Sequence, residues 1–199
     1  EIGSGLVGSE MCIRDRMKEE GISEEEWKKT TMAMSNGKVV NFFTGSLVID
    51  GQNQPSQSLT LKRGVARFDL NVDVAGSAAI ESLTLKNVAQ SGYLFAQGEV
   101  AASPADVERN DVTAHFDTAL SASTPGVLYV YEQENAGIEV SIEAVIDGQH
   151  KVLTKTLEGN LKRNTIYTVT VRKNDIDIVV KVGIDDWEPG EDTEIIPQL

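Results

Sequence analysis

Five apolar residues occupy the even positions Ile176, Ile178, Val180, Val182 and Ile184, with Asp177, Val179, Lys181 and Gly183 between them. An apolar period of two over nine residues is the signature of a half-buried β-strand. Thr165–Arg172, rich in β-branched side chains, reads as a second strand. Lys173-Asn174-Asp175 between them has turn composition. Arg163-Asn164 opens this stretch and Trp187-Glu188-Pro189-Gly190 closes it. A chain with such a hairpin must supply a second apolar layer to cover it, so the fold is constrained to packed β-sheets.

The remaining sequence follows suit. Ser23, with Glu26 three residues on, predicts a capping box and a short helix. Met32-Ala33-Met34-Ser35 leads to a turn at Asn36-Gly37, followed by strands over Lys38–Phe43 and Ser46–Asp50. Leu59 and Leu61 share one parity, whereas Ala66, Phe68, Leu70, Val72 and Val74 share the other, so a β-bulge is expected at Gly64. Ile80–Leu85 reads as a strand, Asn87–Gly92 as a loop and Tyr93-Leu94-Phe95 as a short strand. Strand character is weak over Asp106–Ser123. Val127–Tyr131 is apolar on both faces, the pattern of a central strand. Ile138–Ile146 alternates, Asp147-Gly148 is a type I′ hairpin turn, and His150–Leu157 returns. Short strands at this spacing predict all-β, antiparallel sandwiches. The small, polar stretch Gln97–Ser103 places a boundary between two sandwich domains, 17–97 and 98–199, the first of them short of several strands.

A net charge of −13 argues against nucleic acid, which requires clustered Lys and Arg. No run reaches the ~20 apolar residues of a membrane helix. Residues 6–16, LVGSEMCIRDR, resemble a translated transposon adapter from sequencing-library preparation, so 1–16 are expected to lie outside the natural protein. Three acids and two bases leave with them, which moves the charge only to −12. Cys12, the sole cysteine, leaves too, and the expectation is a protein without disulfides or thiolate chemistry.

No catalytic constellation is legible. His115 and His150 are far apart in sequence and read as surface or core-edge residues. Asp185, Asp186, Glu188, Glu191 and Asp192 form an acidic cluster whose spacing fits no EF-hand loop and reads as solvated carboxylates. Trp187 reads as a cap on the sandwich core, with a sugar-stacking platform as the alternative. No catalytic, cofactor-binding or metal-ligating residue is therefore assigned, and enzymatic activity is not expected.

LTLKRGVARFDLNVDV at 59–74, IESLTLKNVAQSGYLF at 80–95, Met32-Ala33-Met34-Ser35, LKRNTIYTVTV at 161–171 and VVKVGIDDWEPG at 179–190 together resemble the fimbrillin-type pilus subunits of Bacteroidales, over about 160 residues. That group, the type V pilins, includes major, anchor and tip subunits. The resemblance implies two β-sandwich domains of transthyretin-like topology and export as an outer-membrane lipoprotein. It also implies polymerisation with other pilus subunits by β-strand addition after an N-terminal strand is removed. Ile195-Ile196-Pro197-Gln198-Leu199 would then be a candidate donor strand, Lys62-Arg63 lies inside a predicted strand and is not assigned as the cleavage site, and Asp117-Thr118-Ala119 fits a short O-glycosylation acceptor. The alternative function is a surface lipoprotein that binds glycans through sandwich loops, with Trp187 or Tyr93 as platform.

Overall fold

The structure is a computed structural model and describes residues 21–46, 59–98 and 100–182. Its elements in chain order are α1 (Glu24–Lys28), β1 (Thr31–Ala33), β2 (Phe43–Thr44), β3 (Lys62–Arg63), β4 (Val65–Val72), β5 (Ala78–Ala89) and β6 (Ser91–Tyr93). They continue with β7 (Arg109–Leu120), β8 (Thr124–Tyr131), β9 (Glu139–Ile146), β10 (Gln149–Thr156), β11 (Thr165–Val171) and β12 (Ile176–Val182). Eight of the strands form two four-stranded sheets, β10-β9-β5-β7 and β12-β11-β4-β8. Every pairing within them is antiparallel except β11 with β4, which runs parallel from Ile166↔Arg67 to Val171↔Val72.

The expected division into two sandwiches at 97/98 is corrected by this topology. β4 and β5 precede that boundary, yet β4 lies between β8 and β11, and β5 lies between β7 and β9. Each sheet therefore draws its central strands from both sides of the boundary, and one core joins them. Phe68, Leu70, Ile80, Leu83 and Leu85 share that core with Ile142, Ile146, Tyr167 and Val169, all at most 2% exposed. Phe68 stacks on Tyr167 with ring centroids 5.1 Å apart, opposite each other in the parallel register. The polar stretch that resembled a linker falls between β6 and β7, and within it Ala101 is buried.

The two hairpins with the clearest alternation form as expected. β9 turns into β10 through Asp147 and Gly148, with φ of 49° and 77° as a type I′ turn demands. β11 turns into β12 through Lys173–Asp175, closed by the Arg172 N–H donating to the Asp175 carbonyl at 2.9 Å. Ile176, Ile178 and Val180 face the core.

Elsewhere the structure departs from the sequence reading. Gly64 is not a bulge inside one strand; it separates β3 from β4, because the Phe42 ring lies where its Cβ would be, 1.9 Å from the ring's Cε2. The strand expected over 38–43 is reduced to β2, with the Asn36-Gly37 turn closed between Ser35 and Lys38. β5 runs on through the expected loop to Ala89. Asn87, with φ 62°, is accommodated where the register against β7 shifts between Leu85 and Val88, since Asn tolerates the left-handed region. β8, expected to be central, is an edge strand, and its second apolar face is covered at Tyr131 by the N-terminal segment. Ser23 caps α1 as predicted, accepting from the Glu26 N–H at 3.2 Å while Glu26 accepts from the Ser23 N–H at 2.9 Å. The readings placed on 1–16, 47–58 and 183–199 lie outside the described residues.

Candidate functional site

An eight-stranded open sandwich leaves four strand edges, and each edge presents alternate N–H and C=O groups with no ladder partner. Three of the four are blunted. β7 shifts register twice against β5 and carries Asp111, His115 and Asp117. β8 contains Pro125 and shifts register between Phe68 and Leu70 of β4. β10 pairs regularly but carries Lys151 and Lys155. These lysines reach across to the other sheet. The Lys155 ammonium lies 2.7 Å from Asp177 Oδ1, and that of Lys151 donates to the Lys173 carbonyl at 2.8 Å and to Asn174 Oδ1 at 2.9 Å. Lys155 holds the Asp177 carboxyl below its ordinary value, outweighing the opposing effect of partial burial.

β12 is different. It pairs with β11 through seven consecutive residues without a shift, from Thr165↔Val182 to Val171↔Ile176. It contains no proline, and Asp177 is followed by Ile178, Val179 and Val180, all half-buried. Among the described residues no strand pairs with its outer edge. The strand carries Asp177 and Lys181, but the run Ile178–Val180 between them is apolar, and a long, regular edge with such a run can accept another strand.

At the pole where β12 ends, a buried polar clamp fixes the N-terminal segment. The Arg163 guanidinium, its side chain 8% exposed, meets Glu132 at 2.7 Å from Nε. It also donates to Thr44 Oγ1 at 3.2 Å and to the carbonyls of Leu94 and Tyr93 at 3.1 and 3.0 Å. One side chain thus ties β2 and the end of β6 to the starts of β11 and of the β8–β9 connection. Beside it, the Tyr131 hydroxyl accepts from the Val40 N–H at 2.9 Å and donates to the Ala33 carbonyl at 3.3 Å, and the Tyr131 ring packs over Gly92. Nothing in the sequence marks Arg163 as a hub, because its partners lie up to 119 positions away; the one local signal is an arginine just ahead of an apolar strand.

The phenol of Tyr167 is pushed up to about 12, mainly by burial and slightly by the Glu132 charge, while the Lys162 N–H donating to it pulls the other way. Its hydroxyl donates to the Asn160 carbonyl at 3.0 Å. A native-state proton is therefore retained between pH 10 and 12 that the unfolded chain releases. Stability should be insensitive to this group below pH 10 and fall by on the order of 3 kcal/mol as pH rises through 12. Denaturant melts of wild type and Tyr167→Phe at pH 9, 10 and 11 should show a steeper loss in the wild type; parallel slopes would refute the assignment.

The sequence candidates do not converge. His115 lies exposed on β7. The His150 ring, 80% exposed on β10, lies 3.7 Å from Glu81. Tyr93 is half-buried in β6, its carbonyl taken by Arg163. Lys62-Arg63 form β3, and Arg63 lies over the Phe43 ring at 4.9 Å. Asp117 and Thr118 are exposed near the end of β7. Trp187, the acidic cluster and Ile195–Leu199 lie outside the described residues. Among the described residues, no three His, Cys, Asp or Glu side chains gather as a metal site, and no helix is long and apolar enough to cross a membrane.

Main-chain edges and buried structural clamps define a class of all-β sandwich protein whose distinctive surface is its backbone. Residues 22–193 match the family described as fimbrillin-A associated anchor proteins Mfa1 and Mfa2, and the chain belongs to that family. No curated protein matches it by sequence. Among solved structures it is similar to a protein from Bacteroides eggerthii provisionally described as a cell adhesion protein, with TM-score 0.54 and 12% identity, covering 80% of this chain and 70% of that one. A second, from Bacteroides uniformis and described in the same way, matches with TM-score 0.44 and 15% identity over 67% of this chain and 55% of that one. The tip fimbrial protein Mfa3 from Porphyromonas gingivalis matches with TM-score 0.40 and 18% identity, covering 64% of this chain and 52% of that one. The chain thus spans about half the length of the latter two.

Proposed function

We propose that the chain is a structural, non-catalytic subunit of a cell-surface fimbrium, contributing to adhesion and joining other pilus subunits by β-strand addition. The acceptor is the outer edge of β12. Anchorage at the outer membrane through a lipid is part of the same reading. Family membership supports the fimbrial role, and the observation that carries the mechanism is the outer edge of β12, regular over seven residues, apolar over Ile178–Val180 and without a strand partner among the described residues. In order of sequence, the eight sandwich strands lie 3-2-5-6 in one sheet and 4-1-7-8 in the other, and this order supports the transthyretin-like reading.

The energetics fit a backbone-driven contact. A seven-residue edge turns three or four residues outward, each with one N–H and one C=O, so it offers about six to eight main-chain hydrogen bonds to an incoming strand, each worth about 0.5–1.5 kcal/mol net. The half-buried Ile178 and Val180 then fix which of the partner's faces turns inward. Val179 lies on the opposite, outer face and can be changed without opening the core. Val179→Lys should reduce assembly with fimbrial subunits at least tenfold, read by sedimentation or by polymer ladders, and shift the melting temperature by no more than a few degrees. Unchanged assembly would sink the β12 reading.

A further inference from the structure

A depression of about 390 Å³ opens on the outer face of the β12-β11-β4-β8 sheet, at the pole opposite the Arg163 clamp and off the β12 edge. Asp69 and Asn71 of β4, Thr168 of β11, and Ser123, Thr124 and Pro125 at the start of β8 line it. It exists because β8 departs from β4. Phe68 pairs with Leu128, but Leu70 pairs with Thr124, so two residues of β4 span four of β8. Gly126 makes the departure possible. It adopts φ +65°, and a Cβ there would sit 2.5 Å from the hydroxyl of Tyr129, which stands at the margin. Bulges of this kind aim side chains beside binding sites more often than chance.

The lining side chains are held in place before any ligand arrives. Asp69 accepts from the Gly126 N–H at 2.7 Å, and Arg67 Nε and Nη2 lie 2.8 Å from its two carboxylate oxygens. The carboxylate is thereby neutralised from outside the depression. Ser123 Oγ donates to Asn71 Oδ1 at 2.8 Å and accepts from the Val72 N–H at 3.1 Å, while Asn71 Nδ2 donates to Thr170 Oγ1 at 3.2 Å. Capacity remains after these bonds. The second Asn71 N–H, carboxylate lone pairs on Asp69, and acceptor sites on Ser123 and on Thr124, whose own proton goes to the Ala122 carbonyl, are still available.

From this geometry we infer a second site, one that takes a neutral saccharide. Hydroxyls and an amide beside a fixed, charge-compensated carboxylate match sugar hydroxyls, which both donate and accept. No lysine, arginine or histidine lines the depression to hold an anion. The volume falls within the range of small-molecule pockets and admits about one or two sugar rings. Pro125 supplies an apolar patch for a ring's C–H face. This site stands apart from the strand-addition reading, since no β12 residue takes part.

The test uses the ¹⁵N-labelled full chain, titrated with methyl β-D-galactopyranoside, methyl α-D-mannopyranoside and N-acetyl-D-glucosamine, each to about 50 mM, since a shallow site of this kind implies millimolar affinity. At least one should give saturable amide shifts confined to residues 69–71, 123–126 and 168. Thr168→Val, which removes a hydroxyl and keeps the shape, should weaken that binding about tenfold and leave the rest of the spectrum unchanged. Ser123→Ala provides a second variant should Thr168→Val disturb β11. Absence of saturable shifts with all three sugars overturns the proposal. So do shifts that both variants leave unaltered, or tighter binding of N-acetylneuraminic acid, which carries a negative charge.

Discussion

A polypeptide comprising residues 98–199 alone is expected not to fold. It holds six of the eight sandwich strands, from β7 to β12, yet lacks the two that occupy central positions. Without β4, β8 loses its only neighbour and β11 loses one of its two; without β5, β7 is stranded and β9 loses half its ladder. Leu128, Val140, Ile142 and Val169 would lose Phe68, Leu70, Ile80, Leu83 and Leu85 from the shared core. Removing five large side chains, each worth about 2–5 kcal/mol, costs about 10–25 kcal/mol, as much as or more than the 5–15 kcal/mol that stabilises an ordinary domain. Circular dichroism and amide exchange should show no cooperative melt and no protected core. Adding the fragment 17–97 should restore both. A cooperative, protected 98–199 fragment would mean that two independent sandwiches exist after all.

Arg163→Ala is the second large expected effect. The substitution leaves Glu132, its side chain 13% exposed, without its counter-charge, deprives the Tyr93 carbonyl of its donor, and leaves the Leu94 carbonyl with the Thr44 hydroxyl. Breaking one side of a buried pair costs about 3–5 kcal/mol, or on the order of 10 °C in melting temperature for a chain of this size. Arg163→Ala/Glu132→Gln should recover part of the loss, because the stranded charge is gone while the Tyr93 carbonyl stays without its donor. Amide exchange should locate the damage. Residues 30–45 should lose protection first, while β9 and β10 remain slow to exchange. A single mutant that melts within a degree or two of wild type would show that the clamp is solvated in practice.

These two expectations also mark how far the sequence could be read. Hairpins were legible because both strands and the turn are contiguous. The alternation of Ile138–Ile146, the Asp147-Gly148 turn and the return strand sit within twenty residues, and so do β11, Lys173–Asp175 and β12. Non-local pairing was not. Nothing in the β4 residues Val65–Val72 announces that they run parallel to residues a hundred positions later, because alternation fixes which face is buried and leaves the neighbour open. Val127–Tyr131 misled for a related reason. Its second apolar face is covered by the strap that reaches Tyr131 from Val40, and two-sided burial by a strap looks the same in sequence as burial inside a sheet. The depression beside Gly126 needs both β4 and β11 to exist, so no local signal foretells it.

The parallel pairing of β4 with β11 has one further consequence. The Asn164 N–H donates to the Val65 carbonyl, and Val182 stands opposite Thr165, so the chain enters and leaves the sandwich at the same pole, on strands that flank β11. Two strand spacings separate entry from exit, about 10 Å. Within any longer polypeptide, the whole sandwich therefore adds only roughly 10 Å to the separation of the segments on either side of it. It is a pendant bead and not a spacer between them. Length in an assembly of such beads has to come from contacts between them, because the covalent chain scarcely spans the bead it threads.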